Sequence, residues 1–246
     1  MALGRVVLLD ALGTLVELQP PAPLLAARLR EGGVDVGEDE AARAIGAEIA
    51  YYREHHDEAV DAATLSQLRD RCTEVLRRAL PGAARGIGHA ELRDALLGAL
   101  RFRAYPEVPG ALADLRARGH ALVVVSNWDV SLHERLAETG LAELVDGAVA
   151  SAEIGSAKPD PAIFAHGLGL AGAAPAEAWH AGDSPEADVE GALAAGLRAV
   201  LVHRAGTPSD PGARAGVRGG GAPASAAVPE VRSLAELPAL LTSVAE

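Results

Sequence analysis

A single aspartate stands at the end of the first apolar run of the chain. Residues 6–9 are Val, Val, Leu and Leu, and such a run predicts a short strand that is buried on both faces. Asp10 follows at once, before Gly13 and Thr14 turn the chain. Ligands of open parallel sheets gather at the carboxyl ends of the strands, so Asp10 is expected to point into a crevice. Taken alone, the same aspartate could simply cap a turn.

Further polar side chains occur at the ends of later apolar runs. Ser126 and Asn127 end one of these runs, and Asp183 ends another. Lys158 stands just before a predicted helix start and could reach the same edge. Mg²⁺ takes carboxylate oxygens and leaves room for phosphate oxygens, while lysine and helix-start amides bind phosphate. The set therefore predicts a site for a phosphate group and a divalent cation.

A parallel sheet is needed to bring these groups together, and the chain after residue 104 predicts one. Apolar runs alternate there with helical segments, and strands joined by helical crossovers form parallel sheets that are covered on both faces. The predicted fold class is therefore α/β, with a Rossmann-like, mostly parallel sheet and helices on both faces. The predicted strands are 6–9, 121–125, 148–150, 178–181 and 199–202, and the predicted helices are 111–118, 132–138, 161–170, 185–195 and 234–241.

The stretch between the first two strands has a different pattern. From residue 18 to residue 103 the apolar residues recur at helical spacings, with no alternation typical of a strand. The helical segments predicted there are 23–30, 38–58, 65–80 and 92–100. The predicted domains are thus an α/β core of residues 1–17 and 104–246 and an all-helical subdomain of residues 18–103 inserted into it.

Composition restricts the class of protein. The 246 residues carry a formal charge of −12, which argues against nucleic acid or an anionic membrane as a partner. Cys72 is the single cysteine, so an internal disulfide and a thiolate metal cluster are excluded. No apolar run reaches the roughly 18 residues of a membrane span, and the N-terminal run is too short for a signal peptide. We therefore expect a cytoplasmic protein. The abundance of alanine, glycine and arginine suggests a bacterial source, and the composition of residues 205–230, largely Gly, Ala, Pro and Ser, predicts a mobile loop.

Four stretches resemble, in order and spacing, the motifs of the haloacid dehalogenase superfamily of hydrolases. Residues Asp10–Leu15 resemble the first motif, and Val124–Asn127 resemble the second. Lys158 with the following proline resembles the third motif, and residues 182–188, with two aspartates separated by four residues, resemble the fourth. The resemblance covers essentially the whole core, and the helical insert resembles the helical cap of the family.

This resemblance implies an enzymatic activity. Asp10 would be the nucleophile that forms an aspartyl-phosphate, which water later hydrolyses. Ser126, Lys158 and the amide of Asn127 would bind the transferring phosphoryl group. The implied enzyme is a phosphatase that acts on a small phosphorylated metabolite. For the oligomeric state, we expect a monomer or a homodimer.

The resemblance also implies a cofactor. Mg²⁺ would be held by Asp10, by the backbone carbonyl of Leu12 and by Asp183, with Asp188 supporting the site. The cation and Lys158 would together counter the repulsion between the nucleophile and the phosphate.

At one position the chain departs from the phosphatases of this family. They usually carry a second aspartate two residues after the nucleophile, as general acid and base, and here that residue is Leu12. Leucine cannot protonate a leaving group. General acid–base catalysis contributes roughly 10²–10⁴-fold, so this loss would weaken a phosphatase without abolishing its activity.

Two other functions stay open on the same residues. Haloacid dehalogenases also lack the second aspartate, and halide leaves without a proton, so Asp10 could be a metal-independent nucleophile toward a 2-haloacid. Dehalogenases use no metal, however, whereas this chain keeps Asp183 and Asp188. The third function is that of a catalytically silent binding protein that has kept the fold.

The segment 51–56 is the densest polar and aromatic cluster of the chain, and it lies on the long predicted helix of the insert. If the cap closes over the site, Arg53 and His56 would contact the substrate, or a histidine of this segment would replace the missing acid. A solvated helix face is the commoner explanation for such a cluster. His180, just before the fourth motif, could be a core histidine with a satisfied hydrogen bond.

Overall fold

The computed structural model describes residues 6–204 and 228–243. Residues 205–227, most of the predicted mobile loop, lie outside the described residues. Contacts divide the chain into two compact units. The first comprises the chain up to Glu17, Ala104–Asn127 and the chain from Leu132 onward, and the second comprises Leu18–Arg103 with Trp128–Ser131. The short segment Trp128–Ser131 thus belongs with the helical unit, although it lies within the sequence range predicted for the core.

The strands form one large parallel sheet and one small sheet. They are β1 (Val6–Leu9), β2 (Val16–Leu18), β3 (Phe102–Ala104), β4 (Ala121–Ser126), β5 (Gly147–Ala150), β6 (Ala178–Gly182), β7 (Arg198–Val202) and β8 (Glu230–Val231). The large sheet has the order β5-β4-β1-β6-β7-β8, and its neighbouring strands pair in parallel. All five predicted strands are present in it, so the predicted α/β class is confirmed.

The register of the sheet brings the polar strand ends to one edge. Leu9 of β1 pairs with Val124 of β4 on one side and with Ala181 of β6 on the other. Because these neighbouring strands are parallel, their carboxyl ends lie at the same edge of the sheet. Asp10 and Asp183 therefore lie at the carboxyl edge of the interior strands, as the alternating pattern predicts.

The helices are α1 (Pro21–Glu31), α2 (Glu38–His55), α3 (Ala62–Ala79), α4 (His89–Ala99), α5 (Val108–Ala117), α6 (Leu132–Glu138), α7 (Ser151–Ile154), α8 (Pro161–Ala171), α9 (Gly191–Ala194) and α10 (Leu237–Ser243). In the first unit, Phe164 of α8 packs in one apolar cluster with Leu8 of β1 and Val125 of β4. Asp160 directly precedes this helix, and its carboxylate accepts a hydrogen bond from the amide of Ala162 at 2.8 Å. Asp160 therefore caps α8.

Three local features differ from the expectations. The segment predicted as one helix over 185–195 consists of a π-helical turn, Pro185–Glu190, followed by α9. Glu230, predicted to be in a loop, pairs with β7 as part of β8. Phe102–Ala104 forms a strand where only helical spacing is visible in the sequence. A strand of two or three residues is too short for an alternating pattern to stand out.

The second unit has an all-helical core. Helices α1 to α4 bury an apolar cluster that includes Leu25, Ile45, Leu68 and Leu96. The segment Trp128–Ser131 is attached to this unit, because the amide of Val130 donates to the carbonyl of Ala59 at 3.2 Å. Among the residues described, no helix has both the length and the apolar character that crossing a membrane would require.

Candidate active site

Asp10 lies in a buried cluster of polar side chains at the carboxyl edge of the sheet. The ammonium of Lys158 donates to Oδ1 of Asp10 at 2.7 Å, and the hydroxyl of Ser126 donates to the same oxygen at 3.2 Å. All three residues are buried. Because both donors contact Oδ1, neither of them occupies Oδ2. The structure therefore brings together the three residues for which a catalytic role is predicted.

The ammonium of Lys158 also binds a second carboxylate, that of Asp188. Lys158 Nζ donates to Oδ1 of Asp188 at 2.5 Å, and Nε2 of His180 lies 2.8 Å from the same oxygen. The amide of Ser184 donates to Oδ2 at 2.9 Å. Since a carboxylate only accepts, Nε2 of His180 carries the proton of this bond. Asp188 is thus held by three donors, which leaves it little freedom to rotate.

Glycine at position 182 makes this arrangement possible. The π-helical turn Pro185–Glu190 folds the side chain of Asp188 back against the end of β6. A Cβ atom on Gly182 would lie 2.2 Å from Cγ of Asp188, closer than any real contact. The glycine before Asp183 is therefore required by packing.

Asp183 completes a group of three carboxylates. One carboxylate oxygen from each of Asp10, Asp183 and Asp188 lies within 4.8 Å of the other two. Asp183 is exposed to solvent, whereas the other two are buried. Partial desolvation of its carboxyl group raises the pKa of Asp183 to about 7, and the charges of Asp10 and Asp188 add to this effect. The three side chains are suited to hold a cation, since each supplies a carboxylate oxygen.

The buried charged groups of the site differ in the direction in which their pKa values are shifted. Burial raises the pKa of Asp10 above its usual value, and the ammonium of Lys158 only partly offsets it. Burial acts in the same direction on Asp188, but Lys158 and His180 outweigh it and lower the pKa of that carboxyl group. Burial would lower the pKa of Lys158, yet Asp10 and Asp188 raise it. The lysine is therefore held in its charged form.

Asn127 has a structural task in addition to the role predicted for its backbone amide. Its side-chain amide donates to the carbonyl of Lys158 at 2.9 Å, and its side-chain carbonyl accepts from the amide of Lys158 at 2.7 Å. These reciprocal bonds fix the backbone that carries the ammonium. Lys158 is the only lysine of the chain.

Leu12 lies in the tight turn that follows Asp10. The carbonyl of Ala11 accepts hydrogen bonds from the amides of Thr14, Leu15 and Val16, at 2.8 to 3.3 Å. The side chain of Leu12 is 40% exposed, in contrast to its buried neighbours. The position at which the family's phosphatases usually carry an acid is thus occupied here by an exposed apolar group.

Arg53 and His56, predicted to bind the substrate, lie in the second unit. Nδ1 of His56 is 3.0 Å from the carbonyl of Arg53, and the ring of His56 lies beside that of Tyr52. Tyr52 itself donates to Oδ2 of Asp129 at 2.9 Å. The predicted contact of Arg53 and His56 with a substrate stays a prediction.

Two residues near the site receive no functional role from the sequence analysis. His180 was expected to be a core histidine, and it is fully buried with a hydrogen bond to Asp188. Arg204 follows β7 and donates to the carbonyls of Gly13 and Thr14 at 3.1 and 2.7 Å. Arg204, like Asp10, follows a parallel strand, so the rule that ligands gather at the carboxyl ends of such strands also points to Arg204.

Comparisons with known proteins agree with this geometry. The profile of the haloacid dehalogenase-like hydrolases matches residues 5–196. A phosphoserine phosphatase from Thermus thermophilus is 40% identical over 141 residues, which are 57% of this chain and 55% of that protein. The chain thus spans about half the length, or less, of the curated relatives it matches.

Two solved structures share the fold over nearly their whole length. A HAD phosphatase from Thermococcus onnurineus is 25% identical with a TM-score of 0.62, over 96% of this chain and 97% of the other. A 2-haloacid dehalogenase from Pseudomonas syringae pv. Tomato is 25% identical with a TM-score of 0.63, over 98% and 100% of the two chains. This phosphatase and this dehalogenase are thus about equally similar to the chain in fold. The profile match extends over most of the sequence and includes all four motifs, and the chain therefore belongs to the haloacid dehalogenase-like hydrolases.

Proposed function

We propose that this hydrolase is a Mg²⁺-dependent phosphatase for a small phosphorylated metabolite, with Asp10 as its nucleophile. The observation that carries the proposal is the meeting of three carboxylates, those of Asp10, Asp183 and Asp188, within 4.8 Å. Carboxylates so close together repel each other unless a cation or protons neutralise them. Asp183 fits a metal-dependent reaction, because it adds a carboxylate oxygen beside those of Asp10 and Asp188. The phosphoserine phosphatase among the relatives supports the same proposal.

The residues present fit a magnesium ion. Asp10 and Asp183 would hold it together with the backbone carbonyl of Leu12, because Mg²⁺ prefers oxygen ligands. Asp188 already accepts three hydrogen bonds, so it would support the site by orienting Lys158. When bound, Mg²⁺ would neutralise negative charge on the nucleophile and on the phosphoryl oxygens.

The side chains of the cluster divide the work of phosphoryl transfer. Oδ2 of Asp10, which neither Ser126 nor Lys158 occupies, would attack phosphorus as the bond to the leaving oxygen breaks. The ammonium of Lys158 and the hydroxyl of Ser126 would bind the phosphoryl oxygens and stabilise their charge. Water would then attack the phosphorus of the aspartyl-phosphate, which releases phosphate and restores the carboxylate of Asp10.

Leu12 favours a second candidate function, that of a 2-haloacid dehalogenase. Halide needs no proton on departure, so an apolar residue in place of the acid is compatible with that reaction. The carboxylate of Asp10 would then displace halide from carbon and form an ester, which water hydrolyses. Without a cation, however, burial and the charge of Asp188 keep the pKa of Asp10 raised, and this lowers the fraction of the reactive form.

One assay separates these functions. Purified protein is given a panel of phosphate esters and a panel of 2-haloacids, each with Mg²⁺ and with a chelator. Phosphate release that requires Mg²⁺ is the result we expect, and halide release in the chelated samples would identify a dehalogenase instead. Saturable binding of either class without turnover would identify a binding protein.

Asp183→Asn tests the metal assignment separately. The amide keeps the size of the side chain but removes its charge, so the apparent affinity for Mg²⁺ should fall. Asp160→Asn is the matched control, because asparagine caps a helix as well as aspartate does. An unchanged affinity for Mg²⁺ in Asp183→Asn would contradict the assignment.

A further inference from the structure

Arg204 makes an unusual set of contacts at the end of β7. Its Nε atom donates to the carbonyl of Gly13 at 3.1 Å, and Nη2 donates to the carbonyl of Thr14 at 2.7 Å. Nη1 forms an ion pair with Glu107. The guanidinium carbon lies 3.6 Å from the centre of the Tyr105 ring. Only 9% of the Arg204 side chain is exposed, and all of these contacts lie within the first unit.

The surroundings of Arg204 hold its guanidinium in one orientation. Burial alone would raise the pKa of Glu107, but the hydrogen bond and charge of Arg204 outweigh it and lower that pKa. Glu107 is thus an anion that faces the guanidinium. The ring of Tyr105 covers the planar face, and the amide of Tyr105 donates to the carbonyl of Leu15 at 3.1 Å. The planar fork of arginine is therefore preorganised toward two neighbouring carbonyl groups.

Those two carbonyls belong to the turn that follows Asp10. Gly13 has a φ of +88°, and its amide donates to the carbonyl of Val16 at 2.8 Å. A Cβ atom on Gly13 would lie 2.1 Å from Oδ2 of Asp183. The backbone at Gly13 thus lies directly against the carboxylate of Asp183. A shift of this turn would disturb Asp183 and the position of Leu12 together.

We infer that Arg204 is a positioning residue that fixes the turn from Ala11 to Val16 by donating to the carbonyls of Gly13 and Thr14. It thereby maintains the geometry between that turn and Asp183. It makes no described contact with Asp10 or Lys158, so its effect passes through the backbone. Arginine suits the task, because a lysine ammonium cannot reproduce two parallel N–H bonds and a flat face for stacking. The expected effect on the affinity for Mg²⁺ rests on the proposed function, whereas the expected effect on the structure of the turn does not.

Arg204→Met tests this inference with two measurements. Hydrogen exchange reports on the amides of Thr14, Leu15 and Val16, which all bond to the carbonyl of Ala11. Calorimetric titration of the unloaded protein reports the affinity for Mg²⁺ without turnover. We expect faster exchange in this turn and a Mg²⁺ affinity lower by roughly 10- to 100-fold, the size usual for residues that orient metal ligands. Arg204→Lys should give intermediate values.

Arg198→Met is the matched control. Arg198 is the first residue of β7, the strand that Arg204 follows, and its guanidinium lies 5.3 Å from the centre of the Trp179 ring. This variant removes an arginine and a ring contact from β7 but no bond to the turn, so exchange at residues 14–16 should match the wild type. Acceleration of equal size in both variants would overturn the inference, since it would reflect a general loosening of β7.

The outcomes separate this inference from the proposed function. A folded Arg204→Met protein with wild-type hydrogen exchange in the turn would overturn the inference about Arg204. If the wild type does not bind Mg²⁺, the proposed function fails, while the exchange measurement still decides the role of Arg204. Should Arg204→Met fail to fold, Arg204→Lys and Glu107→Gln take its place. Faster exchange in the turn of either variant supports the inference, and wild-type exchange in both contradicts it.

Discussion

The ammonium of Lys158 lies 2.7 Å from a carboxylate oxygen of Asp10, and both side chains are buried. The same nitrogen is 2.5 Å from Asp188. One cation thus compensates two carboxylates in a place that water hardly reaches. Breaking such a buried arrangement by removing one partner leaves uncompensated charge, which costs about 3–5 kcal/mol.

Lys158→Met should therefore destabilise the protein, and more so at high pH. Without the ammonium, burial and the charge of Asp188 would raise the pKa of Asp10 further in the folded state. The folded state would then bind more protons than the unfolded state, so the free energy of unfolding would fall as pH rises. Urea unfolding at pH 5 and pH 8 without metal would measure this. Lys158→Arg keeps the charge and is the control, and an equal loss of stability for Lys158→Met at both pH values would contradict the prediction.

Asp10→Asn should abolish turnover and leave the fold intact. The amide has the shape of the carboxylate and still accepts a hydrogen bond, but it is a poor nucleophile. Removal of a catalytic nucleophile lowers kcat by on the order of 10⁴- to 10⁶-fold in well-studied enzymes. Activity on the preferred substrate and a circular dichroism spectrum would be compared with those of Asp160→Asn. Wild-type rates in a pure Asp10→Asn sample would exclude Asp10 from the reaction.

The sequence pattern predicts which residues lie close together, because their positions at strand ends determine where the sheet places them. Asp10 and Asp183 each follow an apolar strand and Ser126 is the last residue of one, and parallel pairing brings such positions to one edge. The contact between Asp188 and His180 is not visible in this way, since it depends on a π-helical turn with no sequence period of its own. Arg204 was missed because its partners are backbone carbonyls nearly two hundred positions away.

Glu48 should make the stability of the protein fall as pH rises. This carboxyl group is only 3% exposed in the helical unit. Burial raises its pKa from 4.5 to about 7, although a hydrogen bond from the thiol of Cys72 partly opposes the effect. Between these two values the folded state holds a proton that the unfolded state has lost. The stability that the protonated group contributes is therefore complete below about pH 4.5 and is lost toward pH 7, by up to about 3 kcal/mol.

Glu48→Gln removes this titration. We expect the variant to be more stable than the wild type at pH 8 and to lose less stability between pH 5 and pH 8. Chemical denaturation at the two pH values gives the comparison. Glu54→Gln, an exposed position on the same helix, should follow the wild type. Parallel pH profiles for wild type and Glu48→Gln would show that Glu48 does not titrate in this range.

Leu12 should make the enzyme selective for good leaving groups. An ordinary alkoxide is a poor leaving group near neutral pH and needs a proton as its bond to phosphorus breaks. An acyl or aryl phosphate releases a stable anion and gains far less from an acid. Leu12 offers no proton, and its side chain is 40% exposed two residues after Asp10. The wild type should therefore cleave activated phosphates much faster than sugar phosphates.

Leu12→Asp should narrow that preference by accelerating the alkyl esters, within the roughly 10²–10⁴-fold that a positioned acid contributes. The measurement is kcat/KM for a series of phosphate esters whose leaving groups differ in pKa. Leu170→Asp adds an aspartate at another exposed leucine and controls for the added charge. A flat dependence in the wild type would mean that another group, with His55 and His56 the first to test, supplies the proton. A steep dependence that persists unchanged in Leu12→Asp would show that position 12 does not face the leaving group.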